Sequence, residues 1–355
     1  MRMKLILPIT IGLAVPLYLA VGQPPQQDPV TAPPTAPPVE AKKGGGGRQR
    51  TPPPGVSTPG VKREMSTITP DAVYAVGGTP DWQAVTEDAV WVSNRPTNSV
   101  HRLDPKSDKF VTVTVGTSPC SGLAAGFGSI WVPNCGDRTG AGKSVSRVDM
   151  KTNTVIATLP IGPAQSEGGV ATGGGSFWMV SDQKGILSRV DPATNKVIAE
   201  ITVPEKSAAV NFGEDAAWVT TPGANQLTKV DAKTNQVVAT IEVGKGPRFL
   251  TVGAGSVWTL NQGDGTISRV DGKTGKLIAN IEAGIPGGGG EIAFGEGFVW
   301  ATIPQIPITQ VDPATNTVVK QWVGPGGDSI RAAHGSVFLS NLGQHNVWRF
   351  TAKQP

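Results

Sequence analysis

Gly255-Ser-Val-Trp-Thr-Leu-Asn261, then Ile267-Ser-Arg-Val-Asp271, then Lys276-Leu-Ile-Ala-Asn-Ile281, is the clearest copy of a pattern that this chain repeats. The anchoring tryptophan recurs at Trp91, Trp131, Trp178, Trp218, Trp258 and Trp300, and Phe338 takes the seventh slot. Successive anchors are 40, 47, 40, 40, 42 and 38 residues apart. The Gly-Ser-Val-Trp segment reads as a strand whose tryptophan supplies a large apolar plug. The Ser-Arg-Val-Asp segment alternates with period two, as a half-buried strand does. Short strands between Gly and Asp-Pro turns, repeated at this period, imply a radial array. The expected fold is all-β, a seven-bladed β-propeller of four-stranded blades.

Turn chemistry agrees with that reading. Asp104, Asp149, Asp191, Asp231, Asp271 and Asp312 each stand directly before a turn, several as Asp-Pro. There Pro presets φ and the carboxylate accepts turn amides. Their fixed place makes them turn formers rather than calcium ligands. The seventh copy has Val337-Phe-Leu and Val347-Trp-Arg-Phe350, then ends at Pro355 without a last strand. Asp71-Ala-Val-Tyr-Ala-Val-Gly77 reads as the missing one. An N-terminal strand pairing with the last blade at 347–350 would close the ring and remove the free edges of an open array.

The N-terminus reads differently. Basic Met1-Arg-Met-Lys4 is followed by an apolar run from Leu5 to Ala20, broken by Pro8 and Pro16. Ala20-Val-Gly22 then offers small residues for a signal peptidase, so residues 1–22 are expected to be a secretory signal peptide. The run is short for a membrane span, which needs about 20 apolar residues. No cysteine near the cleavage point calls for a lipid. Once the signal is removed no transmembrane segment is expected, and the protein is exported, periplasmic or extracellular. Residues 23–64, rich in Pro, Gly, Gln and Thr, are expected to be a disordered tether, because such a segment has too little apolar surface to fold. The propeller is then residues 65–355.

Of the 31 Lys/Arg and 27 Asp/Glu, residues 1–64 hold 8 and 3, which leaves 23 against 24 for the rest. The net charge of +4 thus belongs to leader and tether. A nucleic-acid reader needs a basic face on the domain itself, so that class is set aside. A monomer is expected.

Trp91-Val-Ser-Asn94 and Thr234-Asn-Gln-Val-Val-Ala-Thr-Ile241 carry a resemblance to the YVTN-type β-propellers. The copies also resemble the seven-bladed streptogramin B (virginiamycin B) lyase group, and the likeness spans residues 71–352. It implies the fold. For activity it implies a carbon–oxygen lyase in which histidine and glutamate serve a magnesium-assisted site. The family's Pro-His-x-Ile segment matches Pro247-Arg-Phe-Leu250 and Pro80-Asp-Trp82, so Arg248 and Asp81 stand where histidine would. The glutamate slot, three residues after each anchor, holds Asn94, Asn134, Ser181, Thr221, Asn261, Ile303 and Asn341. The three histidines, His101, His334 and His345, lie elsewhere.

Propellers take ligands at the mouth of the central channel. Ten residues before the anchors stand Asp81, Ser121, Gly168, Ala208, Arg248, Gly290 and Asp328, with Glu167 and Cys120 one step earlier in their copies. Arg331 interrupts a column of small residues, and Glu291 on the neighbouring blade is close enough to partner it. Asp328 and Asp81, on blades 7 and 1, should be near one another. The candidate ligand-binding residues are therefore Arg248, Arg331, Asp328, Asp81, Glu167 and Glu291, together with Asn261 and Asp264, whose Asn-Gln-Gly-Asp loop suits either oxygen ligands or a plain hairpin. Two arginines could fork onto an anionic or carbonyl group, and the acids could hold a divalent cation, Mg or Ca. Mutual ion pairing that stiffens the ring is the alternative. No Cys-rich or His-rich zinc pattern, phosphate loop or serine elbow is present.

The cysteines have a more definite reading. A two-residue turn at Phe127-Gly128 would set Cys120 opposite Cys135 across a hairpin, about 5.5 Å apart at Cα and within disulfide reach. A structural staple is expected. Three functions stay open: a non-catalytic binder of a small molecule or protein partner, a lyase-like enzyme with a rearranged acid–base set, and a propeller subunit of a redox enzyme that uses a quinone.

Overall fold

Burial follows the repeat. The second strands are buried along most or all of their length, fully so in Val90–Asn94 and Ser129–Asn134, whereas the fourth strands of blades 1 to 5, such as Phe110–Thr114 or Lys196–Thr202, are mostly exposed. A strand sandwiched between two neighbouring sheets has water on neither face, which explains its continuous run of apolar and small residues. The six anchor tryptophans and Phe338 are all at most 1% exposed.

The computed structural model describes residues 52–352, so the expected signal peptide and residues 23–51 of the expected tether lie outside the described residues. Seven sheets stand in a ring, antiparallel throughout except for one added strand on blade 6. Blade 1 opens with Pro80–Val85, blade 2 with Ala124–Gly126, blade 3 with Val170–Gly173 and blade 4 with Val210–Gly213. Blades 5, 6 and 7 open with Pro247–Gly253, Ile292–Gly295 and Ile330–Ala333. These first strands neighbour one another around the axis, the last meeting the first. The expected closure is present. Ala72–Tyr74 pairs antiparallel with Asn346–Thr351 in the register Ala72 to Arg349, Val73 to Trp348 and Tyr74 to Val347. Among the described residues, no helix is long and apolar enough to cross a membrane.

One expectation shifts. Residues 52–64, read as tether, lie on the propeller. Lys62–Glu64 pairs in parallel with Thr317–Val323 as a fifth strand on blade 6, and Val56 and Val61 are buried. The Val56 amide donates to Gln321 Oε1 at 2.9 Å, and the Gly55 amide to Gly284 O at 2.8 Å. Four apolar or amide contacts spaced along a Pro/Gly-rich stretch carry no periodicity, so composition alone assigned it to the tether.

Two devices recur, one tying the first two strands within a blade and the other joining neighbouring blades. The anchor indole donates to the carbonyl five residues earlier in blades 2 to 6, for example Trp178 Nε1 to Gly173 O at 2.9 Å and Trp258 Nε1 to Gly253 O at 3.0 Å. Gly173 and Gly253 are obligatory because a β-carbon there would collide with Phe212 or Phe294 of the next blade. The third strands supply the second device. Arg189 lies 4.8 Å over Trp178 and donates to Ala232 O at 2.5 Å and Asn235 Oδ1 at 2.7 Å in the next blade's turn. Arg147 and Arg269 repeat the arrangement, and Arg349 reaches Pro105 O in blade 1. The turn aspartates behave as read: Asp231 Oδ1 accepts the Lys233 and Thr234 amides, both at 2.8 Å.

Candidate functional site

A cavity of about 380 Å³ opens at the mouth of the channel. Its walls include Asp81 from blade 1, Glu167 from the loop entering blade 3, Arg248 and Phe249 from blade 5, and Asp328 and Leu342 from blade 7. A smaller cavity of about 100 Å³ follows within the channel, where Trp82, Phe249, Glu291 and Arg331 are exposed to it. Phe249 borders both. Trp82 meets it edge-on, ring centroids 5.4 Å apart.

Positions are set by the repeat. Asp81, Arg248 and Asp328 share one column, ten residues before the anchors, and so arrive at the same depth of the ring. One residue further on, the column reads Trp82, Gly122, Gly169, Ala209, Phe249, Glu291 and Ser329. The first six of these line the inner cavity. Trp82 and Phe249 were missed as site residues, though they were legible as the bulky members of a column otherwise dominated by small ones.

Asp81 is only 9% exposed, and its carboxyl hydrogen-bonds that of Asp328. Two carboxyls in contact share a proton, since both cannot ionise cheaply. Burial holds Asp81 well above the usual carboxylate range, and the charges of Glu167 and Asp328 add to it. Burial raises Asp328 too, opposed by the proton it accepts from Asp81 and by the Gly290 amide at 3.3 Å.

Glu167 adopts a left-handed backbone, φ 60°, which is uncommon without a glycine. Its amide donates to Cys120 O at 2.8 Å, and the Gly122 amide to Gly168 O at 2.8 Å, so the loop is stitched to the hairpin that the disulfide closes. Its Oε2 accepts Trp82 Nε1 at 3.2 Å. Burial, followed by the Asp328 charge, pushes Glu167 up to about 7, while the Trp82 N–H and Arg248 work the other way.

The two arginines differ. Arg331 is paired with buried Glu291 at 2.5 Å, the partner expected, and Ser329 Oγ donates to the other oxygen of Glu291. Burial still raises the Glu291 pKa, with Arg331 the main opposing influence. Arg331 is therefore inside the channel and engaged, not part of an anion fork with Arg248. Arg248 stays at the mouth, its Nη2 3.5 Å from Ser166 O and 3.4 Å from Glu167 O.

Asn261 and Asp264 stand outside both cavities. Asn261 is fully buried and bonds Thr259, Thr266 and Ser268, and Asp264 accepts the Lys245 amide at 2.7 Å. The Asn column three residues past the anchors does similar work elsewhere. Asn94 Oδ1 accepts the Thr79 amide at 3.1 Å and Asn341 Oδ1 the Gly327 amide at 2.8 Å, fixing the loops between blades. Among the described residues, no three His, Cys, Asp or Glu side chains converge so as to hold a metal ion.

Cys120 and Cys135 form the disulfide, with Cα atoms 5.8 Å apart. The route differs in detail from the sequence reading. Gly126 opposes Ser129 and Ala124 opposes Trp131, but Pro119 then opposes Asn134, so the register slips before the cysteines and they meet diagonally.

Fold and site together can be set beside known structures. The ring is similar to that of a streptogramin B lyase. The match has a TM-score of 0.61 at 17% identity and covers 77% of this chain and 93% of that one. A computationally designed protein, Ika8, aligns with a TM-score of 0.60 at 12% identity over 80% of this chain and all of its own. The WD40 domain of Neurospora crassa Pan2 gives 0.61 at 8% identity, over 81% and 96%. At such identities the likeness is one of fold. No family model matches the chain, nor does any curated protein sequence.

Proposed function

We propose that this propeller binds a small molecule at its mouth without transforming it, and that it works outside the cytoplasm. One observation carries the binding reading. Polar side chains from separate blades, Asp81, Glu167, Arg248 and Asp328, converge on one cavity of about 380 Å³ that also offers Phe249 and Leu342. That combination of a concave apolar wall and a few convergent polar groups is what ligand sites share. Arg248 and Asp81 occupy the slots where the resembled lyases have histidine, so this ring keeps a site in that place with different chemistry. The disulfide supports export, because such bonds persist in oxidising compartments.

A second reading has its own support. Glu167, held near 7, suits general acid–base work at neutral pH, which a lyase-like elimination requires. Thermal melting against a ligand panel that includes a streptogramin B, with each mixture examined for product by mass spectrometry, separates the readings. A ligand at 100 times its Kd adds about 2.7 kcal/mol, readily visible as a raised midpoint. We expect a shift that Asp328→Asn abolishes, with no product. Product formation that Glu167→Gln removes while binding persists would establish the enzyme instead. A panel without any shift would refute the mouth as a small-molecule site.

A further inference from the structure

We propose that the ligand taken at the mouth is an organic ammonium, a protonated amine on an apolar or aromatic body, whose N–H groups bridge Asp81 and Asp328 and displace the proton between them. The inference rests on the reading of the mouth as a binding site. It begins from a side chain without a donor. Asp81 is nine-tenths buried and faces the cavity, yet among the described residues no amide, hydroxyl or basic group donates to its carboxyl. Its hydrogen bond is to another carboxyl, Asp328. Buried carboxyls are ordinarily matched with donors or cations, and here the protein supplies neither.

The charges around the pair point the same way. Glu167 and Asp328 face Asp81 from blades 3 and 7, and Glu291 faces it from blade 6. Arg331 is committed to Glu291. Arg248 and Arg95 bear on Glu167, and Arg248 is directed to the carbonyls of its loop. Three carboxyls thus border the mouth cavity against the single arginine Arg248. A compact divalent ion does not find its ligands there, since no three converge, and Trp82 holds one oxygen of Glu167. An ammonium needs only two or three separate acceptors, and its body can rest on Phe249 and Leu342, as a hard cation cannot.

The proton balance is explicit. The unliganded pair carries one proton and one negative charge; with R–NH3+ bound, both carboxylates ionise and one proton leaves to solvent. Affinity therefore rises with pH while the amine itself stays protonated, and titration of Glu167 adds to the rise.

Calorimetric titration of the full chain tests this with matched probes: phenethylamine, tryptamine and spermidine, against phenethyl alcohol, 3-phenylpropionate, Mg2+ and Ca2+. We expect the amines to bind. Runs in buffers of different ionisation enthalpy should show about one proton released, and affinity should accordingly rise roughly a hundredfold from pH 6 to pH 8. Asp328→Asn should weaken the amines at least tenfold and abolish the proton release while melting cooperatively, and Asp81→Asn serves if that variant does not fold. Binding of the carboxylate, the alcohol or a metal in place of the amines, in a manner sensitive to Asp328→Asn, would overturn the ammonium assignment and leave the mouth a binding site. Amine binding without proton release overturns the bridging geometry. If no probe binds, both the assignment and the underlying reading fail.

Discussion

His101 shows what one buried side chain does to the whole. It is 3% exposed, its Nε2 lies 3.1 Å from Asn94 Nδ2 and its Nδ1 3.0 Å from Thr112 Oγ1. Asn94 Nδ2 donates, so Nε2 must accept; a proton there would face a donor, beneath a burial penalty that already lowers the His101 pKa to about 4. In the unfolded chain histidine titrates near 6.5. Between these values the unfolded state binds the extra proton, so the His101 contribution is intact above about pH 6.5 and is lost as pH falls toward 4. From pH 7 to pH 5 that is about 2 kcal/mol. The mouth carboxyls, raised by burial, oppose it: their folded state holds protons that the unfolded state gives up, so they favour folding as pH falls. The comparison of wild type with His101→Gln isolates the histidine. Urea denaturation at pH 7 and pH 5 should show the variant losing about 2 kcal/mol less than wild type over that step. Equal losses would mean that His101 is not held neutral in the fold.

At the scale of elements, the stapled hairpin links stability to the site. Cys120 and Cys135 enclose a short loop, and a crosslink of that length contributes about 3 kcal/mol by limiting the unfolded chain. The same hairpin carries the carbonyl of Cys120 that receives the Glu167 amide. Cys135→Ser, or a reducing agent, should therefore lower stability by about 2–3 kcal/mol and also weaken any ligand held by Glu167. Melting with and without reductant, paired with a binding isotherm, checks both; a stability loss with unchanged affinity would show that the loop holds Glu167 by itself. How far such elements were legible depended on how local their causes were. Turn aspartates, anchor tryptophans and the disulfide follow from short spacings, and each is where the sequence puts it. The pairing of Arg331 with Glu291 was legible from the repeat, whereas the loop carbonyls that Arg248 meets were not, because they depend on contacts across several blades. Asn261 and Asp264 looked like ligands for the same reason: an Asn/Asp-rich hairpin that fastens a loop is written in the same residues as one that binds an ion. The slip of register ahead of Cys120 left no mark in the spacing at all.

For the whole molecule the fold was legible because a ring multiplies one local pattern, and its closure is written in residues 71–77 and in the last copy. Closure joins Ala72–Tyr74 to blade 7 and sets more behind it. Tyr74 is fully buried, stacks with Phe338 at 6.3 Å and donates to Asp104 O at 2.6 Å. Gln83 Nε2 reaches Ser340 Oγ at 2.9 Å, and Ser340 Oγ donates to Asp81 O at 2.8 Å. The seam between blades 7 and 1 thus also holds the two aspartates of the mouth in contact. Segment 52–68 adds a separate, peripheral cover on blade 6. Removing residues 1–68 takes away that cover and leaves the ring closed, whereas removing residues 1–77 opens the ring as well, exposing a strand edge and the face beneath Tyr74. The longer truncation should lose far more stability and aggregate on heating. Tyr74→Ala tests the same seam without a deletion and should cost about 3–5 kcal/mol, the range for emptying a buried aromatic site. Tyr74→Phe, which removes only the hydrogen bond, should cost about 1 kcal/mol. Chemical denaturation of these four chains ranks them. If the two truncations unfold alike, blade 6's cover rather than the seam closes the molecule, and the mouth pair should survive Tyr74→Ala unchanged.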